Sequence, residues 1–189
     1  MSASVQLMEP AVSTLEPVVA PLAAQPLAAE SAVAAPEVAI RPACMADIPQ
    51  IADLLDTYAR LGLVLPRPIG TLYRHMREFL VAVEGDRVIG CGALRLYSPV
   101  LAEVCALAVA ESCRGRSVGR RIVEALVEQA RAFGVRRVFA MTLQESFFNR
   151  LGFRTVPMTE VPEKIEADRQ EGIDRAKCMK ATVVRDLEY

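Results

Sequence analysis

Apolar residues recur along this chain with two periods, and the points where the period changes outline its elements. Ile51, Leu54, Leu55 and Tyr58 fall on one helical face. Asp47 stands as the N-cap of that helix, Pro49 lies in its first turn and Gly62 ends it. A short strand over Val38-Ala39-Ile40-Arg41-Pro42 precedes it. The loop Leu63-Val64-Leu65-Pro66-Arg67-Pro68 and a second short helix, roughly Gly70 to Arg77, follow it. Phe79 to Val83 and Val88 to Leu96 are apolar runs around Glu84-Gly85-Asp86-Arg87, the pattern of a hairpin. Glu103 to Val109 is apolar on both faces and predicts a central strand. From Val118 to Phe133 the period is again helical, with Ile122, Val123, Leu126, Val127 and Ala130 as the buried stripe and Gly134 as the stop. A strand (Val135 to Thr142), a short helix (Gln144 to Leu151), Gly152 and a closing strand near Thr182 to Leu187 complete the order. The alternation predicts an α/β domain with helices packed on one mixed sheet.

Composition changes this picture at the N-terminus. From Met1 to Ile40 there is no lysine, arginine or histidine, and Pro10, Pro17, Pro21, Pro26 and Pro36 interrupt any long helix. Residues 1–37 therefore read as a disordered Ala/Pro/Val-rich tail, and 38–189 as the folded domain. The tail lacks the basic start of a signal peptide and the arginines of a transit peptide. No uninterrupted run of about 18 apolar residues predicts a transmembrane helix. Five cysteines without a C-x-x-C pair, and one histidine, argue against a zinc site or a disulfide framework. The expectation is a reduced, cytoplasmic protein with no metal. A net charge of −1 gives no global attraction to nucleic acid or to an anionic membrane. An anionic ligand must then be held by a local basic cluster.

Such a cluster follows the central strand. Arg114-Gly115-Arg116-Ser117-Val118-Gly119-Arg120 separates it from the long helix. The first N–H groups of a helix have no partners of their own, and the helix dipole adds partial positive charge, so a strand–loop–helix junction suits a pyrophosphate. Arg114, Arg116, Arg120 and Arg121 add forked donors. An arginine-rich helix start on a solvated face is the competing reading.

Arg114-x-x-Ser117-x-Gly119, the long amphipathic helix, and then Phe147-Phe148-Asn149-Arg150-Leu151-Gly152-Phe153 resemble the GNAT acyltransferase superfamily. The resemblance covers roughly Ile40 to the C-terminus. It implies the GNAT fold, a twisted mixed sheet of about six to seven strands flanked by about four helices. It also implies acetyl-CoA as co-substrate, held by Leu107, Ala108 and Val109, by Arg114 to Arg120 and by Asn149. Two positions depart from the pattern. Ser117 stands where the first loop glycine is usual, which a helical backbone there would accommodate. Phe148 stands where many members carry a tyrosine thought to protonate the departing thiolate. A thiol pKa near 8.5 makes that donor dispensable near neutral pH.

Leu61-Gly62-Leu63-Val64-Leu65-Pro66-Arg67, Cys91-Gly92-Ala93-Leu94-Arg95, Ala102 to Val109, Glu160-Val161-Pro162-Glu163-Lys164 and Val184-Arg185-Asp186-Leu187 look, more narrowly, like the acetyltransferase domain of the N-acetylglutamate synthases. The chain has no room for the arginine-sensing kinase-like domain of their long form. The implied reaction is acetyl transfer from acetyl-CoA to the α-amine of glutamate, the first step of arginine biosynthesis. Arg67 and Arg95 fall where that family turns basic residues toward the substrate, and Lys180 or Lys177 would replace its C-terminal arginine. Glu103 is the candidate general base, directly or through a water, and backbone N–H near Leu107 would polarise the thioester carbonyl. Cys105 reads as a small core residue. His75 reads as a surface residue with no acidic partner nearby. The expected partner is a small amino acid, with a homodimer allowed. Another amine (glutamine, a protein lysine, a polyamine) and a non-catalytic acyl-CoA sensor stay open.

Overall fold

The computed structural model describes residues 37–172 and 180–188. The predicted tail, save its last residue, and Lys177 lie outside the described residues. Seven strands form one sheet in the order β1-β2-β3-β4-β5-β7-β6. They are β1 (Ala39–Pro42), β2 (Phe79–Glu84), β3 (Arg87–Ser98), β4 (Leu101–Val109), β5 (Arg137–Thr142), β6 (Arg154–Val156) and β7 (Ala181–Asp186). All neighbours pair antiparallel except β4 and β5, which run parallel. The strand predicted to be central is β4, fourth of the seven. The hairpin of β2 and β3 turns at Gly85, whose φ of 57° suits glycine.

Among the described residues five α-helices cover the sheet: α1 (Ile48–Arg60), α2 (Ile69–Arg74), α3 (Val118–Ala132), α4 (Glu145–Asn149) and α5 (Pro162–Gln170). The apolar stripe of α3 lies where its spacing puts it, with Ile122, Val123, Leu126, Val127 and Ala130 all at most 1% exposed. That helix packs on the face carrying Leu94, Ala102, Val104 and Val138, joined by Phe148 and Phe153. On the opposite face α1 and α2 bury Ile48, Ile51, Leu55 and Leu72 against Val81, Cys91 and Ala93. A third cluster, Leu101, Phe139, Val156, Val161 and Val184, fills the space beside α5.

Three details depart from the sequence reading. Asp47 precedes α1, but its carboxylate makes no cap bond to that helix. It accepts instead from the Cys44 N–H at 2.7 Å and pairs with Arg41 at 2.7 and 2.9 Å, closing the 3-10 turn before α1. The second short helix ends at Arg74 and continues as a separate 3-10 turn over Met76–Glu78. Beyond Gly152 the sequence reading has only the closing strand, whereas β6 and α5 lie between. Three residues are too few to show a strand period, and the inward face of α5 is charged.

Close packing of α3 on the sheet depends on Gly90 and Gly92 in β3. A Cβ at Gly92 would stand 2.8 Å from Ile122 Cγ2 and 3.1 Å from Leu126 Cδ1. Gly92→Ala should therefore destabilise the domain by about 1–3 kcal/mol, read as a lowered urea midpoint; an unchanged midpoint would show that α3 can back away freely.

Candidate active site

The two parallel central strands pair only over three positions, Leu101 with Arg137, Ala102 with Val138 and Glu103 with Phe139. Beyond these, β4 runs on to Val109 and β5 to Thr142 without pairing. One cause is visible in β4. Against β3, Cys91 pairs with Ala108 and Ala93 with Cys105, so Ala106 and Leu107 together oppose the single residue Gly92. Ala106 takes a left-handed φ of 51° to make this bulge. A cleft of about 1330 Å³ opens where the strands part, lined from Leu63 to Pro68, by β4, by Ala140 to Leu143 and by the start of α3. It exceeds the roughly 300–1,000 Å³ usual for one small ligand, so two substrates have room.

At one end lies the turn into α3. The N–H groups of Arg114 and Arg116 are bonded to the carbonyls of Glu111 and Cys113. Those of Gly115, Ser117, Val118, Gly119 and Arg120 meet no acceptor among the described residues. Five unsatisfied amides at a helix N-terminus make an anion site. The side chains divide. Arg114 and Arg120 line the cleft, whereas Arg116 does not. Its guanidinium pairs with Glu84 and donates to Cys113 Sγ at 3.5 Å. Arg121 donates to the Val38 carbonyl at 2.8 Å. Asn149 is exposed and outside the cleft, while Phe147, Phe148 and Arg150 line it. Phe148 packs edge-on against Phe147 and Phe153 and offers no hydroxyl.

Ser117 has φ 59° and ψ 15°, which is left-handed and not the helical backbone that the sequence reading required for a serine there. The usual glycine now has a physical reason, since an L side chain resists this conformation by about 1–2 kcal/mol.

At the other end the cleft is walled by charge. Arg67, Arg95, Glu103, Lys164 and Lys180 all line it. Glu103 is 5% exposed, not the solvent-facing strand end that a lone glutamate suggests. Its Oε2 accepts a hydrogen bond from Tyr97 Oη at 2.7 Å and lies 3.2 Å from Lys164 Nζ. Arg95, directly across the β3–β4 ladder from Glu103, sits 3.5 Å from Glu78 Oε2. Burial opposes the Arg95 charge, yet the carboxylates of Glu78 and Glu103 around it help hold the guanidinium protonated beyond its ordinary range. Burial, and next the Glu103 charge, push the Cys105 thiol up to about 11. Cys105 thus stays a thiol, accepting from Arg67 Nη2 at 3.5 Å, and it borders the cleft instead of lying deep in the core. His75 has an acidic partner after all, with Nδ1 2.6 Å from Glu78 Oε1 three residues on, and it too lines the cleft.

The structure therefore brings Arg67, Arg95, Glu103 and Lys180 to the same cleft as Leu107, Ala108, Val109, Arg114, Gly115, Ser117, Val118, Gly119 and Arg120. Arg116 and Asn149 stay apart. Sequence reasoning missed Lys164 as a site residue, together with Tyr97, Glu78 and His75. The spacing His75–Glu78, three apart, was the one local signal available.

Residues 50–153 match the model of the acetyltransferase (GNAT) family. The chain belongs to that family. This GNAT acetyltransferase is 34% identical over 153 residues to an uncharacterized N-acetyltransferase of Chlorobaculum tepidum, covering 81% of this chain and 99% of that one. It is 36% identical over 129 residues to the amino-acid acetyltransferase of Mycobacterium tuberculosis, covering 67% and 74%. Among solved structures it resembles N-acetylglutamate synthase from Neisseria gonorrhoeae complexed with coenzyme A and N-acetyl-glutamate. The TM-score is 0.74 at 28% identity, covering 81% of this chain and only 36% of the gonococcal one. A Mycobacterium tuberculosis protein in complex with CoA and NLQ follows with a TM-score of 0.71, 30% identity and coverage of 79% and 99%.

Replacing the strained serine should help this enzyme. Ser117→Gly is expected to stabilise by about 0.5–1 kcal/mol, the relief of left-handed strain less the extra chain entropy of glycine. A raised melting temperature checks it, and a lowered one would mean the side chain holds the turn.

Proposed function

We propose that the chain transfers acetyl from acetyl-CoA to the α-amine of an amino acid, with glutamate as the acceptor. The observation that carries this reading is the cleft itself, which runs without interruption from the unsatisfied amides at the α3 turn to the basic wall of Arg67, Arg95 and Lys180. Relatives named amino-acid acetyltransferase, and neighbours solved with coenzyme A, support it.

On this reading the amides of Gly115 and Ser117 to Arg120 receive the pyrophosphate, with Arg114 and Arg120 beside it. The backbone of Leu107 to Val109, unpaired on the β5 side, takes the pantetheine arm and polarises the thioester carbonyl. Arg67, Arg95 and Lys180 hold the acceptor's carboxylates. Glu103 removes the proton that frees the amine, directly or through a water. The amine nitrogen then attacks the carbonyl carbon, the C–S bond breaks, CoA leaves with the electron pair, and the nitrogen gives up its second proton to solvent. A thiol pKa near 8.5 lets it depart as thiolate from a site where Phe148 supplies no proton.

One observation favours a second acceptor. Glu78 lies against Arg95 and offsets one of the three cations, which suits an amino acid with a single carboxylate, such as glutamine.

Release of free CoA from acetyl-CoA, measured with each of the twenty amino acids, tests the reading. Turnover with glutamate is expected; turnover with glutamine instead selects the second acceptor, and none with any amino acid refutes both. Arg95→Ala should raise KM for the amino acid by about ten- to a hundredfold, the loss of one charged hydrogen bond of roughly 1.5–3 kcal/mol. Its KM for acetyl-CoA should stay put. Arg114→Ala should show the reverse, and equal effects on both constants in either variant would dissolve the assignment of the two ends.

A further inference from the structure

Lys164 lies in the cleft wall, yet its surroundings are not those of a substrate ligand. Three oxygens surround Nζ: Tyr97 Oη at 2.8 Å, Asp168 Oδ1 at 3.1 Å and Glu103 Oε2 at 3.2 Å. The ammonium donates a hydrogen bond to Tyr97 Oη and forms ion pairs with the two carboxylates. Its side chain is 7% exposed, and those of Glu103 and Asp168 are 7% and 2%. The ammonium also sits 5.2 Å from the centre of the Tyr97 ring.

The polarity of the chain is fixed. Lys164 donates to Tyr97 Oη, and Tyr97 Oη donates to Glu103 Oε2. Burial, and then the nearby Glu103 charge, raise the Tyr97 pKa, so the phenol keeps its proton and remains a donor. Both contacts converge on Oε2. Among the described residues no hydrogen bond reaches Oε1, while the Glu103 side chain borders the cleft. One oxygen is tied and charge-balanced, and the other belongs to a side chain that borders the cleft and accepts no hydrogen bond among the described residues.

We propose that Lys164 and Tyr97 are positioning residues, which orient Glu103 and balance its charge through Oε2 and leave Oε1 as the proton acceptor. The inference rests on the reading of Glu103 as the base. It assigns α5 a task, since Lys164 and Asp168 are the polar groups that helix turns inward. Asp168, four residues on, forms a second ion pair with the same ammonium at 3.1 Å.

The other groups around Glu103 define what titrates with it. Arg95 stands across on β3, held by Glu78; Cys105 follows on β4 beneath Arg67; β5 presents the apolar Phe139. Arg95 lies on the sheet side and is shared with Glu78, whereas Lys164 touches the carboxylate itself. An adjacent cation favours a carboxylate's charged form, and so does a hydrogen bond donated to it. Removing either takes away one interaction that favours the charged carboxylate.

The test is a carboxyl-carbon NMR titration of protein carrying labelled glutamate, with the Glu103 signal assigned by its loss in Glu103→Gln. Lys164→Met should move the Glu103 midpoint upward by about 1–3 pH units. Tyr97→Phe keeps both ion pairs and should move it less, in the same direction. With acetyl-CoA and glutamate or glutamine, Lys164→Met should cut kcat by about tenfold or more on the acid limb of the pH profile. The acid limb of its pH profile should rise with the titration, and KM for the amino acid should hardly change. Should Lys164→Met fail to fold, Tyr97→Phe decides alone. An unmoved midpoint, or a raised amino-acid KM with kcat intact, overturns the proposal and makes Lys164 a carboxylate ligand. Glu103→Gln with full turnover would remove the base reading itself, a failure distinct from an unmoved midpoint in an enzyme that needs Glu103.

Discussion

The parting of β4 from β5 is the constraint on which the rest of this molecule depends. Two parallel central strands would ordinarily bond along their whole length and bury their backbones. Here the bond ladder stops after Glu103 and Phe139, and β4 borders a cleft instead of a neighbouring strand, with the Val109 carbonyl taken by Tyr58 Oη. Unpaired backbone groups carry a cost unless water or a ligand meets them, so the opening is useful only as a binding site. The bulge at Ala106 is coupled to the parting, because an extra residue on one strand bends it and increases its twist. Everything else that matters sits on the rim of that opening: the α3 turn, the Leu63 to Pro68 loop and the inner face of α5.

The charges on the rim are not there for stability. Taking Glu103, Lys164 and Asp168 out of water costs several kcal/mol per ion, and an apolar set of equal volume would commonly serve the fold as well. Tyr97 adds a phenol that has to find partners once half-buried. A set of charges that folding does not need, placed against the wall of the cleft, is better explained by the chemistry of that cleft. The same holds for Arg95, which burial disfavours and which Glu78 and Glu103 keep charged. The net charge of −1 conceals this arrangement, because opposite charges are interleaved at distances near 3 Å.

Elements that bury an apolar stripe were legible in the sequence, and those that bury charge were not. The stripe of α3, the β2–β3 hairpin and the central place of β4 all follow from the period of their apolar residues. In α5 the pattern is inverted: Lys164 and Asp168 point inward while Ile165 is 41% exposed. No amphipathic rule finds such a helix, and its partners lie 61 to 67 residues away in the chain. The turn into α3 was legible in its residue types, but its conformation was not. Serine gives no warning of a left-handed φ, and the two arginines that leave the cleft, Arg116 and Arg121, are held by Glu84 and by the Val38 carbonyl, far off in sequence. For Arg67, Arg95, Glu103 and Lys180, which lie on four separate segments, only the resemblance drew them into one group before the fold did.

The bulge does a second thing that bears on how one strand could serve two substrates. Before it, Ala102 and Val104 face α3, and Glu103 and Cys105 face the other side. An extra residue reverses the alternation, so beyond it Leu107 and Val109 face α3 while Ala108 does not. The first half of β4 thus offers a carboxylate on the face shared with Arg95 and Lys164, and the second half offers unpaired backbone beside the α3 turn. On the proposed reading, the acceptor amine is prepared against the first half and the thioester lies along the second. The two would meet at the bulge, where the strand has no partner on the β5 side. A regular strand could not do both, because it would keep one face throughout and stay bonded to β5.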